Sequence, residues 1–170
     1  MAYALVHYPA IDTEQINELR HKYDPQVDLI APHVTLVFPV PASIGEAILV
    51  AHIGNVLRNW RQFPLHLRGL EQSWDNCLFL RLQAGNTEVI RLHDELYTGM
   101  LSPYLRQDIP YVPHVTLGAF ADAAELCEQA LSEAERCLLD YQCAVDRLHL
   151  VRINDDRSGI IWSKEFLLPT

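Results

Sequence analysis

The chain has 170 residues, of which 49% are hydrophobic and 21% are charged, and this composition is typical of a folded protein that buries a core. Its formal net charge is −9, which disfavours duplex DNA as a partner because duplex binders neutralise phosphates with a basic face. No apolar run approaches the roughly 18 residues that cross a bilayer. The amino-terminal segment also lacks the basic and apolar regions of a secretory signal.

These features predict a cytoplasmic, monomeric protein made of one domain over residues 1–170, with no membrane partner. The four cysteines form no C-x-x-C pair, so reduced thiols are expected. Any nucleic-acid substrate should be a small nucleotide or an RNA terminus held at one end, because the anionic surface repels a long polyanion.

The first half of the chain predicts two strands that alternate with two helices. The residue types favour a strand at 3–9, a helix at 11–23, a strand from His33 and a helix at 43–60. Ser43 and Glu46 have the spacing of a capping box at the start of that second helix.

The second half repeats this order. Strand-like runs at 63–74 and 77–83 lead to a helix at 86–100, a loop at 101–113 and a strand from His114. A helix from about Asp122 to Leu138 follows, and two strands at 141–153 and 159–168 end the chain. Agreement between the halves indicates an internal duplication.

One pentapeptide, Pro-His-Val-Thr-Leu, occurs in both halves, at 32–36 and again at 113–117. Together with the repeated element order, it predicts a bilobal, pseudo-twofold α+β fold. In this fold two mostly antiparallel sheets surround a central cleft, helices lie on the outside, and the motif strands lie near the axis.

Each motif strand should present one histidine and one threonine on the same face, because successive side chains of a strand alternate between faces. Two imidazoles and two hydroxyls would then converge on the cleft. Histidine exchanges protons near neutral pH, so one imidazole can deprotonate water while the other protonates a leaving oxygen. Threonine hydroxyls can donate hydrogen bonds to the phosphate oxygens.

The paired "PHVTL" motifs resemble those of the two-histidine (2H) phosphoesterases, which include proteins called 2'-5' RNA ligases or RNA 2',3'-cyclic phosphodiesterases. The resemblance covers essentially the whole chain. It implies that His33 and His114 are the acid–base pair, that Thr35 and Thr116 hold the phosphate, and that no metal or other cofactor is needed.

In the cyclic-phosphodiesterase branch a basic residue often follows the second motif, where this chain has Gly118 and Ala119. Arg81 and Arg152 are therefore candidate substitutes for that cation. The aromatic residues near the motifs are candidates for stacking on a nucleobase; they are Tyr8, Phe38 and Tyr111.

The leading interpretation is a metal-independent phosphodiesterase that hydrolyses a 2',3'-cyclic phosphate or a related small nucleotide or RNA-end phosphodiester. In the reverse direction, the same groups could form a 2'-5' linkage. Two alternatives stay open at this level: a non-catalytic module that binds phosphate or nucleotide in the same cleft, and a metal-dependent hydrolase.

Overall fold

The structure is a computed structural model and describes residues 1–121 and 123–170. The strands are β1 (Ala2–His7), β2 (Val34–Pro41), β3 (Phe63–Gln72), β4 (Cys77–Ala84), β5 (His114–Ala119), β6 (Asp140–Val145), β7 (Arg147–Ile153) and β8 (Ile160–Leu167). The helices are α1 (Glu14–Tyr23), α2 (Glu46–Leu57), α3 (Asn86–Leu96) and α4 (Ala124–Cys137). Short 3-10 helices lie at Ala42–Ile44 and Gly99–Tyr104.

Within the described residues the strands form one eight-stranded antiparallel sheet with the order β6-β3-β4-β5-β2-β1-β7-β8. Its two four-stranded halves meet where β2 lies beside β5, and a single residue pair, Val34 with Val115, joins them. The α+β class, the duplication and the central position of the motif strands are thus confirmed. The expected division into two separate sheets is not, because this pair makes the sheet continuous.

The segment predicted as one strand at 141–153 is two strands, β6 and β7, which belong to opposite halves of the sheet. Strand β6 pairs with β3, whereas β7 pairs with β1. The break falls at Asp146, whose carbonyl accepts a hydrogen bond from the Leu168 amide at 2.7 Å. Sequence alone favoured one strand because the apolar alternation continues almost unbroken through the crossover.

The predicted capping box before α2 is also wrong. Residues Ala42–Ile44 form a 3-10 turn, and α2 begins only after Gly45, which has a φ of 87°. The left-handed backbone at Gly45 turns the chain into the helix and makes no use of the Ser43 side chain. The Glu46 carboxylate instead accepts a hydrogen bond from the Tyr3 hydroxyl at 3.1 Å.

The two halves of the sheet exchange helices, where the first half is β2-β1-β7-β8 and the second half is β6-β3-β4-β5. Helix α1 follows a strand of the first half and packs against β5 of the second, whereas α3 follows a strand of the second half and packs against β2. Their buried faces contain Ile16, Leu19 and Tyr23 in α1, and Val89, Leu92 and Leu96 in α3. These side chains belong to one apolar core that runs through both halves, so each motif strand is supported by a helix from the other half.

The predicted start of α4 near Asp122 lies outside the described residues, and the described part of this helix begins at Ala124. Across the described ranges, no helix is both long enough and apolar enough to cross a membrane.

Candidate active site where the two motif strands meet

The two motifs place their polar and apolar side chains on opposite faces of the sheet. Val34 and Leu36 of the first motif, and Val115 and Leu117 of the second, are each at most 1% exposed. The intervening histidine and threonine of each motif are only half-buried. His114 is the first residue of β5, while His33 lies immediately before β2. The apolar face fixes both strands in the core, and the polar face is left partly exposed.

The register between the strands brings the four polar side chains together. Because Val34 pairs with Val115 in an antiparallel arrangement, the same register sets His33 across from Thr116 and Thr35 across from His114. Residues two apart on a strand are separated by roughly 7 Å, and opposed residues by about 5 Å. These four side chains form a small patch, which we call the motif patch. The imidazoles of His33 and His114 occupy one of its diagonals, and the hydroxyls of Thr35 and Thr116 occupy the other.

Both imidazoles are held in the same orientation by the same local bond. The Nδ1 atom of His33 lies 2.8 Å from the carbonyl oxygen of Ala31, and that of His114 lies 2.6 Å from the carbonyl of Val112. A carbonyl can only accept, so Nδ1 carries the proton in each ring. Each neutral ring then has an unprotonated Nε2, which is the nitrogen free to exchange a proton with a substrate.

Burial lowers the affinity of both rings for a proton. Burial, with a smaller contribution from the charge of His33, lowers the pKa of His114 to about 4. Burial also lowers the pKa of His33, and the Arg20 guanidinium acts in the same direction, while the Ala31 carbonyl and the Asp24 carboxylate oppose it. His114 is therefore neutral at neutral pH. A bound phosphodiester anion would raise both values, because negative charge favours imidazolium.

The ring of Phe79 covers one face of the His114 imidazole. Its ring stacks on the imidazole with centroids 3.5 Å apart and planes inclined by 13°. Phe79 is the strand partner of Thr116 in β4, so it belongs to the same face as both motif side chains. Sequence reasoning missed it, although the alternation in "CLFLRLQ" places Phe79 on the same face as Arg81.

The threonine hydroxyls are available for a ligand. Over residues 1–121 and 123–170 neither hydroxyl forms a hydrogen bond within the protein. The backbone carbonyl of Thr35, by contrast, accepts a bond from the Tyr111 hydroxyl at 2.6 Å. Tyr111 comes from the segment that leads into the second motif, so this bond ties the approach to His114 to the strand of the first motif.

Arg81 and Tyr8, two of the residues singled out by sequence, lie beside the histidines. Arg81 is the strand partner of His114, and its guanidinium forms an exposed ion pair with Glu71 at 3.0 Å. The Tyr8 ring lies 6.3 Å from the ring of His33 and 5.0 Å from that of His149. A concavity of about 390 Å³ opens beside Tyr8, between α1 and residues 27–32. It adjoins the motif patch without including it.

The other three candidates for substrate binding have different surroundings. Arg152 pairs with Tyr3 in the sheet and points to the helix-covered face, where its guanidinium lies 3.5 Å from the Glu46 carboxylate. The structure thus keeps Arg152 away from the motif patch. Tyr111 stacks on His93 with centroids 3.7 Å apart, which leaves its ring a packing role. Phe38 is 42% exposed and lies edge-on to Tyr111.

No group of three or more histidine, cysteine or acidic side chains within the described part of the chain is arranged to hold a metal ion. The functional groups gathered at the patch are thus two imidazoles, two hydroxyls and one nearby guanidinium.

Comparison with known proteins identifies the class. Residues 8–157 match the model of the 2'-5' RNA ligase superfamily, and the chain therefore belongs to this family. A relative from Bacillus pumilus is 30% identical over 162 residues, covering 89% of this chain and 88% of its own, and carries the name "Putative phosphoesterase". A relative of the same name from Geobacillus thermodenitrificans is 23% identical over 154 residues, covering 89% and 87%.

Solved structures show the same fold. Escherichia coli LigT in complex with ATP superimposes with a TM-score of 0.65 at 21% identity, covering 99% of this chain and 98% of that one. TT0787 of Thermus thermophilus superimposes with a TM-score of 0.66 at 19% identity and the same coverage.

Proposed function

We propose that this protein is a phosphodiesterase that opens a 2',3'-cyclic phosphate, on a nucleotide or at an RNA end, by general acid–base catalysis without a metal ion. The observation that carries the proposal is the pair of imidazoles on one diagonal of the motif patch, each donating its Nδ1 proton to a backbone carbonyl and leaving Nε2 free. Two proton transfers are what phosphodiester hydrolysis requires, and each contributes on the order of 10²- to 10⁴-fold in rate.

We assign the role of base to His114, because burial lowers its pKa to about 4 and the ring is therefore deprotonated at neutral pH. Its Nε2 removes a proton from water as the water oxygen bonds to phosphorus. The bond from phosphorus to one ribose oxygen breaks, and His33, whose imidazolium form the bound phosphodiester anion favours, donates its Nε2 proton to that oxygen. The entering and leaving oxygens lie roughly in line, which suits groups on opposite sides of the patch. Thr35 and Thr116 donate to the non-bridging oxygens as their charge develops.

The environment of each histidine suggests how a substrate lies. The Tyr8 ring and the adjoining concavity on the His33 side suit a nucleobase or ribose. On the His114 side, Arg81 suits a second phosphate group. Crystal structures of LigT contain ATP, 3'-AMP and NADP+, so nucleotides are the compounds to test first.

The test is hydrolysis of a nucleoside 2',3'-cyclic phosphate in the presence of EDTA, with products identified by mass. Turnover by the wild type and none by the double variant His33→Ala/His114→Ala, with similar melting temperatures, is expected. Ligand-dependent stabilisation without turnover would instead identify a binding module. Loss of turnover with EDTA, restored by a divalent cation, would identify a metal-dependent hydrolase. A panel of 2'-5' dinucleotides and cyclic-phosphate RNA ends then defines the substrate and any reverse ligation.

A further inference from the structure

A buried arginine lies next to the first motif. Arg20 on α1 is only 2% exposed, and its Nε donates to the Asp24 carboxylate at 2.8 Å. Its Nη2 donates to the carbonyl of Ile30 at 2.7 Å and, at 3.5 Å, to that of Gln26. Through these bonds one guanidinium ties the end of α1 to the segment 24–31 that leads to His33.

Stability alone does not account for this arrangement. Removing an ion pair from water costs several kcal/mol per ion, and apolar replacements of such pairs are often neutral or stabilising. Moreover, Nη1 of Arg20 is buried and, within the described ranges, has no hydrogen-bond partner. Burying this guanidinium costs free energy, which indicates that it is retained for the groups that it orients.

The restraint on Ile30 extends to the His33 ring through a short, stiff stretch of backbone. Ala31 follows Ile30, and its carbonyl accepts the Nδ1 proton of His33 at 2.8 Å. Because Ala31 precedes Pro32, its backbone is confined to extended conformations, and the φ of Pro32 is fixed by its ring. Little rotational freedom is left between the carbonyl that Arg20 holds and the carbonyl that orients His33.

The segment that leads to His114 is also held in place, but by uncharged groups. Tyr111 stands three residues before His114, as Ile30 stands three residues before His33. Its hydroxyl bonds to the Thr35 carbonyl and its ring stacks on His93 of α3. Each approach segment is thus fixed at the same position, once by a buried ion pair and once by an aromatic stack.

We propose that Arg20, together with Asp24, is a positioning residue for His33: it holds the segment 24–31 so that the Ala31 carbonyl keeps the proton on Nδ1 and Nε2 is directed over the motif patch. Arg20 itself touches no substrate. The proposal rests on the proposed function for its kinetic consequences only, since the orientation and tautomer of the ring can be measured without turnover.

The test compares Arg20→Met/Asp24→Leu, which replaces the ion pair by apolar groups of similar size, with Lys22→Met as the control. Lys22 lies on the same helix and forms an exposed ion pair with Glu133 at 3.0 Å, and within the described residues its side chain makes no hydrogen bond to the segment 24–31. For the double variant kcat should fall about 10- to 100-fold, as a misplaced catalytic group does, with KM changed less than about twofold. The control should match the wild type.

The readout independent of activity is the ¹⁵N NMR spectrum of the His33 ring. The wild type and the control should show the proton on Nδ1, whereas the double variant should show a mixture of tautomers. A folded double variant with wild-type kcat and an intact Nδ1 proton would overturn the proposal. If the double variant does not fold, Asp24→Asn, which keeps the side-chain shape, should show a smaller shift in the same direction, and an unchanged His33 spectrum would again overturn it. A wild type that turns nothing over contradicts the proposed function, while the NMR comparison still decides the role of Arg20.

Discussion

The surroundings of His33 and His114 form a comparison built into one chain. Both rings belong to the same pentapeptide and make the same Nδ1 bond to the carbonyl two residues earlier. Their neighbours differ: Phe79 stacks on His114, whereas the corresponding position beside the first motif strand is Val6, the partner of Thr35. The motif therefore sets the orientation of each imidazole, and the neighbouring strand supplies different contacts to each ring.

The largest effect is expected when each histidine is removed in turn. His33→Ala and His114→Ala should each lower hydrolysis of a cyclic phosphate by roughly 10²- to 10⁴-fold. On a nucleoside p-nitrophenyl phosphodiester, whose leaving group needs no proton, His33→Ala should regain most of its activity and His114→Ala should not. Recovery by His114→Ala instead would reverse the two roles. Equal melting temperatures serve as the control for folding.

Replacing each hydroxyl by a methyl group tests whether the two threonines are equivalent. Thr35→Val and Thr116→Val keep the side-chain shape and the strand preference, and each should lower kcat about 10- to 100-fold by removing one donor to the phosphate. Steady-state kinetics on a cyclic phosphate measures this effect. A change in KM alone would show that the hydroxyls bind the ground state and the transition state equally.

Tyr8 lies beside His33 and Arg81 lies beside His114, so their variants should affect different substrates. Tyr8→Leu should raise KM about tenfold for every nucleotide if the ring stacks on the base. Arg81→Met should raise KM about fivefold, because this exposed cation is worth little in water, and only for substrates with an additional phosphate. The check is KM for a nucleoside cyclic phosphate with and without a 5'-phosphate; equal effects of Arg81→Met on both would contradict its assignment.

The smallest expected effect is also the most specific, because Phe79→Val gives His114 surroundings like those of His33. Less burial favours the imidazolium, so the pKa of His114 should rise from about 4. As a base His114 works deprotonated, so kcat/KM should rise with pH through this value in the wild type, and that limb should move to higher pH in the variant. Activity should fall as pH passes the lowered pKa of His33, which works protonated. NMR titration of both rings checks the assignment, with Val6→Ala as the matched change in the other half.

The parts of the site that depend on local backbone could be predicted from the sequence. The shared face of His33 and Thr35 follows from the two-residue repeat of a strand, and the duplication indicated that His114 and Thr116 would face them. The stacking of Phe79 on His114 could not be predicted, because it depends on the register between β4 and β5. Neither could the bond from Arg20 to Ile30, since an arginine on a helix usually faces solvent. The strand break at Asp146 could not be predicted either, because β6 and β7 are distinguished only by their pairing with distant strands.

The exchange of helices between the halves has a consequence for the history of this protein. A chain of half this length, carrying one motif, would leave the apolar face of its helix and the core face of its motif strand uncovered. Association with a second copy would cover both and would bring two histidines together on one patch. The duplicated chain therefore has the architecture of a helix-exchanging homodimer joined into one chain, in which the two copies of the motif have different neighbours.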